Sequence, residues 1–170
     1  MNERIHDDEP DTTAHVVRSL LKASCPQWAQ SPIEYLTTSG TDNAMWRIHI
    51  DDEPDLVIRL PRRPGAAAGV LHEVGVLRQL EHTSIGSIVT TPKLRHVGEP
   101  HEVFPHRWTI LDWIDGGDAW TLRNDLDGRP LDALADDLAN AVNMIGTVEV
   151  DGAPRRSPGS RGGPLLPLLE

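Results

Sequence analysis

Only one cysteine, Cys25, occurs among the 170 residues, so no disulfide can form within the chain. A lone thiol is typical of proteins that work in a reducing compartment. The first eight residues do not form the apolar core of a signal peptide, and the chain contains no apolar run long enough to span a membrane. We therefore expect a cytoplasmic protein without a membrane partner.

Basic residues are scarce relative to acidic ones: 16 Lys and Arg stand against 26 Asp and Glu, which gives a formal net charge of -10. Proteins that bind nucleic acid nonspecifically use Lys and Arg to neutralise phosphates. The acidic balance therefore argues against nucleic acid as a partner. It would suit a cationic small molecule, although many cytosolic proteins are acidic for solubility alone.

Aromatic residues are few and uneven, with five Trp, one Phe and one Tyr. Aliphatic side chains must therefore supply most of the core, and each Trp acts as a large local anchor. With 38% hydrophobic residues, the chain is long enough for one packed domain of ordinary size.

Several motifs that would identify an enzyme class are missing. The chain has no G-x-x-x-x-G-K-[ST] phosphate loop, no G-x-G-x-x-G fingerprint and no G-x-S-x-G nucleophile turn. His72 and Glu73 begin like a zinc-protease helix, but Val76 stands where the second His belongs. The acidic string at 7–11 recurs at 51–55 without the spacing of a calcium loop, which indicates two solvated turns. We therefore predict no metal site.

The hydrophobic pattern predicts a mixture of helices and short strands. Asp11 or Thr12 can cap a first helix that ends near Ser24. The other predicted elements are strands at 33–38, 44–50, 55–60, 93–97 and 108–112 and helices at 66–81 and 131–145.

A glycine-containing junction at 115–117 separates the predicted strands from the last predicted helix. Strands on both sides of one helix, followed by a junction and more helix, indicate a two-lobe α+β arrangement. In the last helix we expect Leu134, Leu138 and Val142 to face inward. The tail at 152–169 is rich in Pro, Gly and Arg and shows no periodicity.

Three features could carry chemistry, and each has an ordinary structural alternative. A Ser-Gly-Thr-Asp-Asn turn at 39–43 could offer backbone amides to phosphate oxygens, or be a plain hairpin turn. Arg59 on an apolar strand could pair with Glu73 of the next helix and hold phosphates, or both could be solvated. The segment at 108–116 could present backbone groups to an adenine edge, or be a strand that ends at a turn.

In this order the three features resemble the aminoglycoside phosphotransferase family, which shares the protein-kinase-like fold with choline kinases. The likeness is most specific at 39–48 and 56–66, continues through 108–116 and 131–145, and fades near residue 160. It is uninformative about the substrate.

The resemblance implies an α+β fold with a kinase-like N-lobe at 1–111, built from a five-stranded antiparallel sheet and one long helix. A hinge at 112–117 would follow, and 118–170 would hold the first helices of an incomplete C-lobe. The implied ligand is ATP or GTP with Mg²⁺, and the implied substrate is a small molecule that carries a hydroxyl group.

The resemblance also implies roles at the nucleotide phosphates. The loop over the phosphates would consist of four turn residues: Ser39, Gly40, Thr41 and Asn43. Arg59 falls where kinases place the phosphate-binding Lys, and Glu73 falls where the ion-pair partner of that Lys lies. Arg in place of Lys is a departure, because a planar guanidinium grips phosphate with a different reach and geometry.

For the nucleotide base, the resemblance implies three further residues. Leu111 would be the gatekeeper behind the adenine. The backbone carbonyl of Asp112 and the backbone amide of Ile114 would hydrogen-bond the adenine edge.

The catalytic loop of the family, H-x-D-x-x-x-x-N, does not occur in the sequence. The pattern begins correctly at His6, but Thr13 stands at the Asn position, and it begins again at His49, where Leu56 stands at that position. We therefore assign no catalytic and no metal-binding residue. We expect a truncated or frameshifted copy of a kinase that transfers no phosphoryl group by itself.

Two alternatives stay open. The chain could be a standalone N-lobe that docks on a protein partner through an exposed apolar surface, including the helix at 131–145 and Trp120. It could also be an unrelated small α+β protein, in which case the five-stranded antiparallel sheet beside one long helix would not be found.

Overall fold

A computed structural model describes residues 8–37, 40–117 and 131–148. The helices are α1 (Ala14–Ser24), α2 (Pro64–Ala68), α3 (Val70–Leu80) and α4 (Leu131–Gly146). The strands are β1 (Ile33–Tyr35), β2 (Asn43–Ile48), β3 (Leu56–Pro61), β4 (Leu94–Gly98) and β5 (Trp108–Asp112). Short 3-10 turns lie at Pro26–Trp28 and Ser84–Ser87.

The five strands form one antiparallel sheet in the order β1-β2-β3-β5-β4. The central strand β3 is buried along its length except at Arg59, which is half-buried. Its Val and Ile residues favour such a position, because branched side chains pack well on a pleated surface. The predicted α+β fold with a five-stranded antiparallel sheet is confirmed.

One face of the sheet packs against α1, and we refer to it as the α1 face. It carries the even-numbered residues of β2, β3 and β5, because Trp46, Ile58 and Ile110 lie opposite one another in register. They form one apolar cluster with the buried residues of α1, which are Val16, Val17, Leu20 and Leu21. The cluster supplies the main core of the molecule.

The segment before α1 is tied to the α1 face by two polar contacts. Trp46 donates from Nε1 to the carbonyl oxygen of Thr12 at 3.0 Å. Arg62 directly follows β3, and its Nη1 lies 2.8 Å from Oε2 of Glu9, with both side chains only 1% exposed. The same guanidinium donates to the Tyr35 hydroxyl at 2.9 Å. The Tyr35 hydroxyl thus gives the buried Arg62 guanidinium a second hydrogen-bond partner besides Glu9, and a buried charge needs such partners.

The odd-numbered residues of β2, β3 and β5 form the opposite face, which we refer to as the α3 face. The helix predicted at 66–81 lies on this side, begins at Pro64 and is divided into α2 and α3 at Gly69. Proline suits the first turn of a helix, since it has no amide hydrogen to leave unpaired. The carbonyl of Gly69 then accepts the amide of Glu73 at 3.0 Å, which starts α3.

The observed strands lie within a few residues of their predicted positions. β5 has the predicted bounds, and β4 is shifted by one residue. β1 is shorter than predicted and ends at Tyr35, although the amide of Leu36 still donates to the carbonyl of Met45 at 3.0 Å. The predicted end of this strand, Thr38, lies outside the described residues.

The expectation that α4 buries Leu138 and Val142 is wrong. Leu138 is 56% exposed, Val142 is 67% exposed, and Leu134 is half-buried. Among the described residues α4 lies beside Ser84–Ser87, and its buried residue is Ala141. The side chains of Leu138 and Val142 therefore point away from the contact of α4 with Ser84–Ser87.

Two predicted regions, 118–130 with Trp120 and the tail from 149 onward, lie outside the described residues. Within the described ranges, no helix combines the length and the apolar character that crossing a membrane requires.

Candidate functional site

The α3 face carries a direct ion pair between β3 and α3. Arg59 projects from the middle of the sheet, and its Nη1 contacts Oε1 of Glu73. The Arg59 side chain is 25% exposed and the Glu73 side chain 40% exposed. A cation placed on a central strand needs such a partner, because desolvating an unpaired charge is costly. The predicted pairing of Arg59 with Glu73 is thus present in the structure.

Register explains why Arg59 reaches α3 rather than α1. Arg59 lies opposite Met45 of β2 and Thr109 of β5, and all three are odd-numbered residues. Adjacent residues of a strand point to opposite faces, so Ile58 and Leu60 enter the core while Arg59 leaves it. Arg59 is thereby held by rigid strands on both sides.

A cavity of about 620 Å³ lies between the turn at 40–43 and the helices α2 and α3. Its lining includes Asn43 at the start of β2, Glu73 of the ion pair, and Arg63 and His72 nearby. The volume is within the range of small-ligand sites. The structure therefore brings part of the predicted turn and Glu73 of the predicted ion pair to one cavity.

The turn is fixed to the start of α2 by two contacts that involve Asp42. The amide of Arg62 donates to the carbonyl oxygen of Asp42 at 2.9 Å. Nη2 of Arg63 lies 2.8 Å from Oδ1 of Asp42, in a pair with both side chains about half exposed. These contacts hold the rim of the cavity on the side of the turn.

The connector after β5 lies outside this cavity. Leu111 is buried at 3% exposure and lies opposite Val57 in register. The amide of Asp112 donates to the carbonyl of Lys93 at 3.0 Å, and its carboxylate pairs with Arg95. Ile114 is 39% exposed, and the backbone hydrogen bonds found among the described residues do not use its amide.

A polar cluster next to the connector was not anticipated from the sequence. Oδ2 of Asp55 accepts from Nε of Arg47 at 2.6 Å and lies 2.9 Å from Nδ1 of His49, while Oδ1 accepts from the amide of Ile50 at 3.0 Å. Burial raises the pKa of Asp55, but the hydrogen bonds from Ile50, Arg47 and His49 outweigh it and leave the pKa below its usual value. Asp55 therefore stays ionised and holds several donors.

The predicted site residues differ in how the structure places them. Glu73 and Asn43 line the cavity, and Arg59 is joined to it through its ion pair with Glu73. Gly40 and Thr41 are exposed parts of the adjoining turn. Ser39 lies outside the described residues. Leu111, Asp112 and Ile114 lie together at the end of β5, away from the cavity lining. Their roles toward a nucleotide stay predictions.

Across the described ranges, no group of three or more His, Cys, Asp or Glu side chains is arranged so that it could hold a metal ion. Two of the acidic residues at the cavity are engaged with arginines: Asp42 pairs with Arg63 and Glu73 pairs with Arg59.

Comparison with known proteins adds one finding. The model of the phosphotransferase enzyme family matches residues 36–170, which include the turn, the ion pair and the connector. The chain belongs to the phosphotransferase enzyme family. A search of curated proteins finds no significant match. Family membership agrees with the resemblance that the sequence motifs indicated, and the five-stranded sheet agrees with a kinase-like N-lobe.

Proposed function

We propose that this chain forms the nucleotide-binding part of a phosphotransferase that uses ATP or GTP and phosphorylates a hydroxyl group of a small substrate. The observation that carries the proposal is the Arg59–Glu73 ion pair, which lies on the open face of the sheet beside a cavity of ligand size. Membership of a phosphotransferase family supports the same activity class.

The chemistry of the ion pair suits phosphate binding. A guanidinium has several donors in a planar fork, so Arg59 can keep one contact to Glu73 and direct others to phosphate oxygens. Glu73 restricts the directions that Arg59 can take, which lowers the entropy lost when phosphate binds. Asn43 and the turn at 40–43 border the same cavity and would contact the phosphates from above.

The base of the nucleotide would lie at the connector. The amide of Ile114 and the carbonyl of Asp112 can hydrogen-bond an adenine edge, and Leu111 would close the pocket behind it. In the complete reaction Mg²⁺ neutralises phosphate charge, and no cluster of three or more possible metal ligands occurs among the described residues. The proposal therefore names residues for nucleotide binding and none for the metal.

Phosphoryl transfer needs a residue that positions the attacking hydroxyl. The H-x-D-x-x-x-x-N pattern that would supply it is absent from residues 1–170. We propose that the chain alone binds nucleotide and does not transfer phosphate. Release of ADP above a no-protein control, with small alcohols or aminoglycosides as acceptors, would refute this part of the proposal.

The nucleotide site is tested by calorimetric titration of ATP and GTP into the wild-type chain and into Glu73→Gln. We expect the substitution to weaken nucleotide binding about tenfold or more, since Arg59 loses the carboxylate that orients it. Glu99→Gln is the matched control, because it removes the carboxylate of an exposed pair with Arg107 outside the cavity. Equal affinity in all three proteins, or no binding to the wild type, would show that the assignment is wrong.

A reducing cytoplasm is the compartment we propose. Cys25 is a free thiol that is 1% exposed, and burial raises its pKa to about 11. A buried thiol that stays protonated is a packing residue and not a redox centre.

A second candidate function is an interaction module, and the exposed face of α4 supports it. Leu138, Val142 and Ile145 are 56%, 67% and 44% exposed and recur at helical spacing. Apolar patches of this kind bind a partner or aggregate. Analytical ultracentrifugation compares the wild type with Leu138→Lys: a monodisperse wild-type monomer with the same behaviour as the variant would count against this function.

A further inference from the structure

Arg47 occupies the centre of the polar cluster beside the connector. It lies on β2 on the same face as Arg59, directly opposite Val57 in register. Its Nε donates to Oδ2 of Asp55 at 2.6 Å, and its guanidinium carbon lies 4.6 Å from the ring centroid of Trp113. Stacking over an indole while binding a carboxylate fixes both the position and the plane of the guanidinium.

Trp113, the second residue of the predicted hinge, is held from two directions. Its amide donates to the carbonyl oxygen of Asp55 at 2.9 Å, so the backbone continues the pairing of β3 with β5 by one residue. Its ring lies against Arg47. The end of β5 and the turn between β2 and β3 are thus joined by main-chain and side-chain contacts that share Asp55.

Asp115 extends the same network past the next residue. Its Oδ1 accepts from Nε1 of Trp113 at 2.7 Å and lies 3.6 Å from Nη2 of Arg47. Ile114 therefore lies between two residues that are both held by the cluster. The Ile114 amide, which the described backbone hydrogen bonds leave unused, thus lies between Trp113 and Asp115.

We infer that Arg47 is a positioning residue for nucleotide binding: by holding Trp113 and Asp115 it orients the Ile114 amide toward the nucleotide base. The inference rests on the proposed nucleotide site and adds a residue that neither the sequence motifs nor family membership assigns. Arg47 would not touch the phosphates, because its contacts lie at the connector and not at the cavity beside Glu73.

Two features separate this role from a purely structural one. Arg47 is 28% exposed and Asp115 is 90% exposed, so their ion pair contributes little to the free energy of unfolding. In addition, the orienting effect concerns the base alone. Loss of Arg47 should therefore weaken ATP binding while leaving the binding of inorganic triphosphate, which has no base, unchanged.

The experiment compares the wild-type chain with Arg47→Met, Arg47→Lys and Arg107→Met. Met keeps an apolar stem without the charge, and Lys restores a cation over the indole without the planar fork. Arg107→Met is the matched control, since Arg107 pairs with Glu99 before β5 and does not contact the connector. Two quantities are measured: amide hydrogen exchange at residues 113–115, and the affinities for ATP and inorganic triphosphate.

We expect Arg47→Met to accelerate exchange at residues 113–115 and to weaken ATP binding, each by about tenfold, a change of about 1.4 kcal/mol. Triphosphate affinity should not change, Arg47→Lys should recover part of the loss, and Arg107→Met should behave like the wild type. Unchanged exchange, or equal losses for ATP and triphosphate, would overturn the role of Arg47.

The outcomes also separate this inference from the proposed function. If the wild type binds ATP and Arg47→Met binds it equally well, the nucleotide site stands and the role of Arg47 is wrong. If the wild type binds neither ATP nor triphosphate, the proposed function is wrong, and the role of Arg47 is wrong with it.

Discussion

The α1 face and the α3 face of the sheet are built from alternate residues of the same strands, yet they have different contents. On the α1 face, Trp46, Ile58 and Ile110 are at most 8% exposed and belong to one apolar cluster. On the α3 face, the neighbouring residues Arg47 and Arg59 are about one quarter exposed and pair with carboxylates. Because successive side chains of a strand point to opposite faces, the apolar cluster with α1 lies on one face of the sheet and the paired arginines lie on the other.

The comparison indicates where substitutions should affect folding and where they should affect binding. Substituting a member of a buried ion pair or a buried leucine should lower the free energy of unfolding, because the change leaves an unpaired buried charge or a cavity. Partly exposed ion pairs contribute little to folding, since water screens them in both states. Substitutions of the charged residues on the α3 face, unlike those of its buried Val57 and Leu111, should therefore leave the fold intact.

The largest effect is expected at the buried ion pair of the α1 face. Glu9→Gln leaves Arg62 buried without its carboxylate and should lower the free energy of unfolding by about 3–5 kcal/mol. The matched change is Asp42→Asn, which removes the carboxylate that pairs with the neighbouring Arg63. Because this pair is exposed, its loss should lower the free energy of unfolding by only about 0–1 kcal/mol. Urea denaturation measures both, and equal losses would remove the distinction between the two arginines.

Next in size is the contrast between two leucines. Leu20→Ala opens a cavity in the cluster under α1 and should cost about 3 kcal/mol. Leu138→Ala on the exposed side of α4 should change the unfolding free energy by less than about 0.5 kcal/mol. A large loss for Leu138→Ala in thermal denaturation would mean that the side of α4 is covered after all.

A smaller effect on stability is expected on the α3 face. Arg59→Met removes a partly exposed cation and should change the unfolding free energy by about 1 kcal/mol or less. Because the variant still folds, its nucleotide affinity can be compared directly with that of the wild type. A loss of several kcal/mol in urea denaturation would place Arg59 among the residues that maintain the fold.

The smallest effect is a dependence of the free energy of unfolding on pH, which should differ between His96 and Asp55. Burial lowers the pKa of His96, which lies against the Trp108 ring, below its usual value. The unfolded chain therefore takes up a proton near pH 6.5 while the folded chain does not, so stability falls as the pH decreases from about 7 to 5. Asp55, whose pKa is also lowered, should cost stability only below about pH 4.

Urea denaturation at several pH values tests this prediction. His96→Leu should flatten the dependence between about pH 7 and 5, because the titrating group is removed. His82→Leu alters an exposed histidine and should leave the slope of the wild type. A slope that survives in His96→Leu would assign the titration to another group.

Much of the fold was predictable because local patterns carry it. The β5 run at 108–112 is mostly apolar, begins after Arg107 and ends at Asp112, and it forms a strand with the predicted ends. Arg59 and Glu73 were predicted to pair because a strand cation requires a partner, and the next helix supplies a carboxylate at a position that can reach it. The break at Gly69 was missed, since an isolated glycine inside a helical pattern is often tolerated.

Other features could not be read from local pattern. The stripe of Leu138 and Val142 is amphipathic in sequence, yet which helix side is buried depends on what packs against it. The contacts of Arg47 with Asp55 and Trp113 join three segments, and their meeting depends on the pairing of β3 with β5. An arginine alternating with apolar residues in β2 was the available signal for it.

The amino-acid sequence alone determines the alternation of each strand, the acidic surplus, and the order of turn, cation, carboxylate and connector that indicates the family. The tertiary structure decides which charges meet: Arg62 is buried with Glu9, Arg63 pairs with Asp42 at the surface, and Arg47 reaches the connector. The physical reason is distance along the chain. Alternation follows from backbone geometry within a few residues, whereas a pairing across tens of residues depends on how every element packs.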